Sequence, residues 1–140
     1  MADLPVPLLP RRVRWAFVVA VALGIFYFSV LKAPPEQAVV PHFELIPLDK
    51  WRHFLGYGVF AATLWYATVD WSWPTRTLVV LVLGTTVAYG LGMEVVQATV
   101  PERYFSLFDA YANTLGALLV TPVFYLDRYL TTRRFPDPDA

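Results

Sequence analysis

TLVVLVLGTTVAYGLGMEVVQATV, residues 77–100, carries a single acidic or basic residue, Glu94. A helix rises about 1.5 Å per residue, so about 20 residues cross a hydrocarbon core of about 30 Å. This stretch is long enough, and the sequence predicts that it spans a bilayer. Working outward, an apolar run of the same kind lies on its N-terminal side, from Trp51 to Val69. The segment Asp70-Trp-Ser-Trp-Pro74 separates the two as a tight break. On the other side, Pro101 helps end the helix, because proline lacks an amide hydrogen and disfavours helix at the residue before it. A third run follows at 105–126, with Pro122 inside it marking a kink or a frayed end. The first run of the chain covers 13–31 and stops at Lys32 and Pro34-Pro35. The expected fold is therefore all-α: a polytopic membrane protein built as a bundle of four transmembrane helices, spans about 13–31, 51–69, 77–100 and 105–126.

Composition agrees with this pattern. The 140 residues are 57% hydrophobic and 16% charged, against about a quarter charged in an average soluble domain. The charges fall between and at the ends of the apolar runs, as a bilayer requires. Trp15, Trp51, Trp71 and Trp73 sit at run edges, where amphipathic rings favour the interface. A formal net charge of zero points away from nucleic acid, and with no cysteine there is no disulfide, thiolate metal site or cysteine nucleophile.

Three regions result: an N-terminal tail, 1–12; a four-helix domain, 13–130; and a tail, 131–140, expected to be disordered. Arg11, Arg12 and Arg14 before an apolar run resemble a signal peptide. The run exceeds the usual core of about 7–15 residues and lacks a clear A-x-A site, so it reads as an uncleaved span. The segment 32–48, with Pro34, Pro35, Pro41 and Pro47 among Val39, Val40, Phe43, Leu45 and Ile46, reads as a loop on the interface. Arginine counting sets orientation. One side would hold Arg11, Arg12, Arg14, Arg76, Arg128, Arg133 and Arg134, and the other Lys32, Lys50, Arg52 and Arg103. By the positive-inside rule the expected location is the cell membrane, multi-pass, with both termini cytoplasmic.

The informative residues are the polar ones that interrupt the runs. Asp49, His53 and Tyr57 are four apart and share a helical face; Lys50 lies beside them. Glu94 and Gln97 share another face with Gly90, and Arg103 follows. Asp109, Asn113 and Gly116 recur at i, i+4 and i+7. An up-and-down topology puts all three stripes at one outer level. Lipid cannot solvate such groups, so the stripes are expected to face one another, with Gly90, Gly92, Gly116 and Ala117 permitting close approach.

The ordered set Asp49-Lys50-x-x-His53-Phe54, Tyr89-Gly90-x-x-x-Glu94-x-x-Gln97-x-x-x-Pro101-x-Arg103 and Asp109-x-x-x-Asn113-x-x-Gly116 resembles the VanZ-like family. These are small membrane proteins named after a member of a glycopeptide-resistance cluster that lowers susceptibility to teicoplanin. The resemblance covers residues 49–120; the first helix and the tails carry no motif. It implies a glycopeptide-resistance-like protein of the cell envelope, and assigns no molecular activity.

Two functional readings stand side by side. In the first, Asp49, Lys50, His53, Glu94, Gln97, Arg103, Asp109 and Asn113 line an outward polar pocket for an envelope lipid or a lipid-linked or glycopeptide-like ligand. In the second, the protein is an intramembrane hydrolase or transferase on a lipid-linked substrate, with Glu94 or Asp109 as general acid/base and His53 assisting. A proton- or ion-coupled carrier is a third, and four helices would need a homo-oligomer for it. Each residue also has a packing role open to it: Glu94 as a member of a helix clasp, Asp109 meeting the helix dipole, Asn113 as an interhelical hydrogen bond, Arg52 as a snorkelling side chain, and His42 as a solvated loop residue. His53, Glu94 and Asp109 are donors of the right type for a metal, but the chain gives no close ligand spacing and three cations lie nearby. Neither metal nor cofactor is assigned. G-x-S-x-G, phosphate-loop and H-E-x-x-H patterns are missing. So is the two-histidine lipid-phosphatase pattern, and Ser72 and Ser106 have no obvious base.

Overall fold

The computed structural model describes residues 4–32, 48–101, 103–126 and 130–134. The helices are α1 (Arg11–Phe26), α2 (Leu48–Thr68), α3 (Thr75–Gln97), α4 (Leu107–Leu118) and α5 (Thr121–Leu126). A π-helical turn, Tyr27–Leu31, prolongs α1. Two five-residue strands, β1 (Leu4–Leu8) and β2 (Leu130–Arg134), pair in parallel, Leu4 opposite Leu130 and Leu8 opposite Arg134. This ladder holds the two ends of the chain together. The expected tail 131–140 overlaps β2 at 131–134. Most of the loop expected at 32–48, with its prolines and His42, lies outside the described residues.

Among the described residues, three helical stretches are long and apolar enough to cross a membrane: Arg11–Leu31, Thr75–Gln97 and Leu107–Leu126. The exception is α2. Its 21 residues are sufficient in length, but Asp49, Lys50, Arg52 and His53 crowd its first turns. The fold is thus helical and compatible with a membrane-embedded chain. Its outer surface agrees: Phe28, Val80, Leu107, Phe108 and Leu119 are all well exposed. Water would not tolerate so much open apolar surface on a monomer, but lipid does.

Local chemistry sets the boundaries. Pro10 and Pro74 precede α1 and α3 with extended ψ angles, where a missing amide hydrogen costs nothing. Ser106 caps α4, its Oγ accepting from the Asp109 amide at 3.2 Å. The expected break at Pro122 falls between α4 and α5. The chain turns at Leu119 and Val120, and the proline sits in the first turn of α5.

Helix directions follow from which residues meet. Lys50 meets Asp109, His53 meets Asn113, and Gly58 meets Gly116, so α2 and α4 run parallel. Tyr89 bonds Ala22 and Gln97 bonds Ser29, so α3 runs with α1. Arg14 meets Tyr66 and Asp70, so α1 and α2 are antiparallel. The result is an up-down-up-down bundle whose apolar core comprises Phe60, Ala61, Leu64, Val82, Ala117 and Phe124, with their neighbours. The tightest seam joins α2 to α4. A Cβ on Gly116 would collide with the Phe54 carbonyl oxygen and lie 3.1 Å from the Gly58 amide nitrogen. Only glycine permits that separation.

At the end of the bundle nearest the strands, Arg14 is 2% exposed. Its Nη1 and Nη2 donate to Asp70 Oδ1 and Oδ2 at 3.0 and 2.7 Å. Nη1 also donates to the carbonyls of Tyr66 and Ala67 at 3.0 and 3.3 Å, near the C-terminus of α2. A cation there complements the helix dipole and satisfies carbonyls that the helix leaves open.

Candidate functional site

The opposite end holds the polar cluster. Three helices supply it. Lys50, His53 and Tyr57 come from α2, Glu94 and Gln97 from α3, and Asp109 and Asn113 from α4. Lys50 joins the cluster through Asp109, with Nζ donating to Oδ1, and it also pairs with Asp49 at 2.8 Å. Two carboxylates thus share the Lys50 ammonium.

Deeper in, the groups are nearly dry. His53 Nδ1 and Asn113 Oδ1 are 3.0 Å apart. An amide oxygen can only accept, so Nδ1 donates and a neutral ring leaves Nε2 with a lone pair. Nε2 lies 3.9 Å from Asp109 Oδ2. Glu94 is 1% exposed. Its Oε2 accepts from the Ser106 amide at 3.1 Å, while Oε1 has no hydrogen-bond partner among the described residues. One donor atom each from His53, Glu94 and Asp109 lies within 4.8 Å of the others. Tyr57 stacks on His53, centroids 6.4 Å apart and planes within 5°. Gly90 makes the room: a Cβ there would stand 3.1 Å from both Tyr57 Cε1 and Asn113 Nδ2.

The remaining predicted residues turn elsewhere. Gln97 Nε2 donates to the Ser29 carbonyl at 3.0 Å, and Arg103 Nη2 reaches the same oxygen at 3.5 Å. Ser29 lies in the last turn before the helix ends at Leu31, where carbonyls are left without helical donors. Between this turn and α2 lies a cavity of about 1220 Å³. Val21, Ile25, Phe28 and Leu55 give it apolar walls. Lys32, Arg52 and Arg103 give it cations, and Asp49, His53 and Gln97 also reach it. The predicted stripes therefore separate into a buried knot of Lys50, His53, Glu94, Asp109 and Asn113 and a cavity wall of Asp49, Gln97 and Arg103, with His53 in both.

The VanZ/LLP1 family model matches residues 14–127, most of the chain. The chain belongs to the VanZ/LLP1 family. No curated protein and no solved structure is similar to it at a significant level. The VanZ/LLP1 match extends from Arg14, at the start of α1, past the last motif residue, Gly116. It thereby takes in the first helix, where sequence reading found no motif.

Sequence reasoning missed Ser29, whose carbonyl anchors Gln97, and Ser106, which links α4 to Glu94. Nothing in the residues around Ser29 announces a π-turn. Ser106 had a signal in the Ser-x-x-Asp spacing to Asp109, a helix-start pattern.

Proposed function

We propose that this VanZ/LLP1 protein is a four-span protein of the cell envelope that binds an anionic lipid, or a lipid-linked or glycopeptide-like ligand of the same charge, in the cavity between the π-turn and α2. The observation that carries this reading is the composition of the cavity wall. Val21, Ile25, Phe28 and Leu55 offer hydrocarbon an apolar wall, and Lys32, Arg52 and Arg103 line the same cavity, where guanidinium groups match phosphate and carboxylate geometry. A drug-sized ligand fills about 300–1,000 Å³, so the volume suffices for a headgroup with part of its chains.

In this reading α2 crosses the bilayer despite its charged first turns. Arg52 snorkels, while Lys50 and His53 bond to α4 rather than meet lipid. The paired termini lie in the cytoplasm with the Arg14–Asp70 end, and the cavity opens outward. The test is to reconstitute purified protein into nanodiscs and count co-purifying lipid after exchange with phosphatidylglycerol or phosphatidylcholine. Wild type is expected to retain phosphatidylglycerol preferentially, and Arg52→Gln with Arg103→Gln to lose the preference. Equal retention of both lipids by wild type would end the proposal.

A second reading is favoured by one observation: Glu94 Oε1 has no partner among the described residues, and a carboxylate oxygen of Glu94 lies within 4.8 Å of a His53 nitrogen. Here Glu94 is the general base of a hydrolase or transferase acting on a lipid-linked substrate, since Asp109 is engaged by Lys50. It requires turnover that disappears in Glu94→Gln while the protein stays folded.

A further inference from the structure

We propose that His53, Glu94 and Asp109 form a binding site for one first-row divalent cation, Zn²⁺ or Mn²⁺, at the inner end of the cavity. The inference goes beyond the lipid reading and does not depend on it.

The argument rests on how each side chain is held. In all three, one polar atom is tied down and a second is left over, and one donor atom of each lies within 4.8 Å of the others. His53 Nδ1 is fixed by Asn113 Oδ1, which leaves Nε2 as an electron-pair donor. Glu94 Oε2 is fixed by the Ser106 amide, which leaves Oε1 buried and unpartnered. Asp109 Oδ1 is fixed by Lys50, and Oδ2 faces His53 Nε2 at 3.9 Å. A metal-ligating histidine commonly has its second nitrogen held this way, and ligating carboxylates are themselves hydrogen-bonded.

A pure packing clasp would pair Glu94 Oε1, because an unmet carboxylate oxygen away from water is costly. Here the oxygen belongs to a residue 1% exposed and remains without a partner among the described residues.

Distance is close to what a metal needs. Bonds of about 2.0–2.2 Å put two donors on a tetrahedral ion about 3.4 Å apart. The three donor atoms lie within 4.8 Å of one another, so a closure of up to about 1.4 Å completes the site. An imidazole with two carboxylates suits zinc or manganese better than magnesium. Three protein ligands leave a position open for water or a ligand oxygen, and His53 connects that position to the cavity.

The test uses full-length protein in detergent, stripped with chelator and dialysed separately against Zn²⁺ and Mn²⁺. The bound metal is measured by mass spectrometry, and Co²⁺ spectra serve as an optical probe. Wild type is expected to hold about one equivalent and to show a Co²⁺ ligand-field band that Zn²⁺ abolishes. His53→Ala and Glu94→Gln should each weaken binding at least tenfold, and Asn113→Ala by about 10–100-fold through the histidine it orients. Wild type holding less than a tenth of an equivalent of either metal, with no Co²⁺ band, overturns the site. So does one equivalent kept equally by His53→Ala and Glu94→Gln, which would put the ion elsewhere. Should either variant fail to fold, the wild-type stoichiometry and Co²⁺ spectrum decide alone. Lipid retention is read separately, so loss of this inference leaves the lipid proposal standing.

Discussion

Arg14 and Asp70, 56 residues apart in sequence, meet through two parallel hydrogen bonds at the end of the bundle opposite the polar cluster. Arg14 is buried and Asp70 is partly exposed, so removing Asp70 leaves a buried cation without its partner, at up to about 3–5 kcal/mol. Asp70→Ala is expected to lower the unfolding midpoint in detergent strongly, and Arg14→Ala to lower it less, since water solvates the aspartate it leaves. Arg14→Lys should rescue little, because an ammonium cannot span both carboxylate oxygens and the α2 carbonyls together. Midpoints within error of wild type for both alanine variants would show that the clasp is ornamental.

The α2–α4 seam makes a sharper steric prediction. Gly116→Ala drives a methyl group into the Phe54 carbonyl, so α4 must move away from α2. Overpacking typically costs about 1–3 kcal/mol, which exceeds the ~1 kcal/mol an alanine gains in helix propensity. Gly84→Ala is the control, since a Cβ there meets nothing within 4 Å. It should be neutral or slightly stabilising. The same unfolding assay decides, and equal behaviour of the two variants would contradict the seam.

Removing Lys50 leaves Asp109, which is 7% exposed, without its cation. Lys50→Met is therefore expected to lower the unfolding midpoint in detergent, and Lys50→Arg to retain most of it. Equal midpoints for wild type and Lys50→Met would mean that Lys50 does not hold Asp109 in solution.

Because the chain has no cysteine, single substitutions report topology without background. Lys32→Cys and Thr99→Cys should react with a membrane-impermeant maleimide in intact cells, and Ser72→Cys only after permeabilisation. Lys32→Cys and Ser72→Cys reacting from the same side would rule out a crossing by α2.

Much of this was legible in residue order. Period and length located the helices to within about three residues, and the i, i+4 and i+7 spacing of Asp109, Asn113 and Gly116 identified the face that meets α2. Three features were not legible. Arg14 reads as one of several N-terminal cations, because nothing local says that it turns inward to an aspartate 56 residues on. The convergence of His53, Glu94 and Asp109 depends on the rotation of three separate helices, which no spacing within one helix fixes. Gln97 and Arg103 read as members of the knot, yet both go to Ser29. Where the first helix ends, and so which carbonyl it leaves open, is not marked in an apolar sequence.

The first helix is more than a tether. Ser29 is where α1 takes hold of α3 and of the chain that follows it, and α1 closes one side of the cavity. A chimera carrying a generic polyleucine anchor of equal length would keep the protein in the bilayer and keep a carbonyl at position 29, yet its leucine at position 24 would fill cavity space that Gly24 leaves open. The segment with no recognisable motif is thus the one that an engineer could least safely replace by hydrophobicity alone.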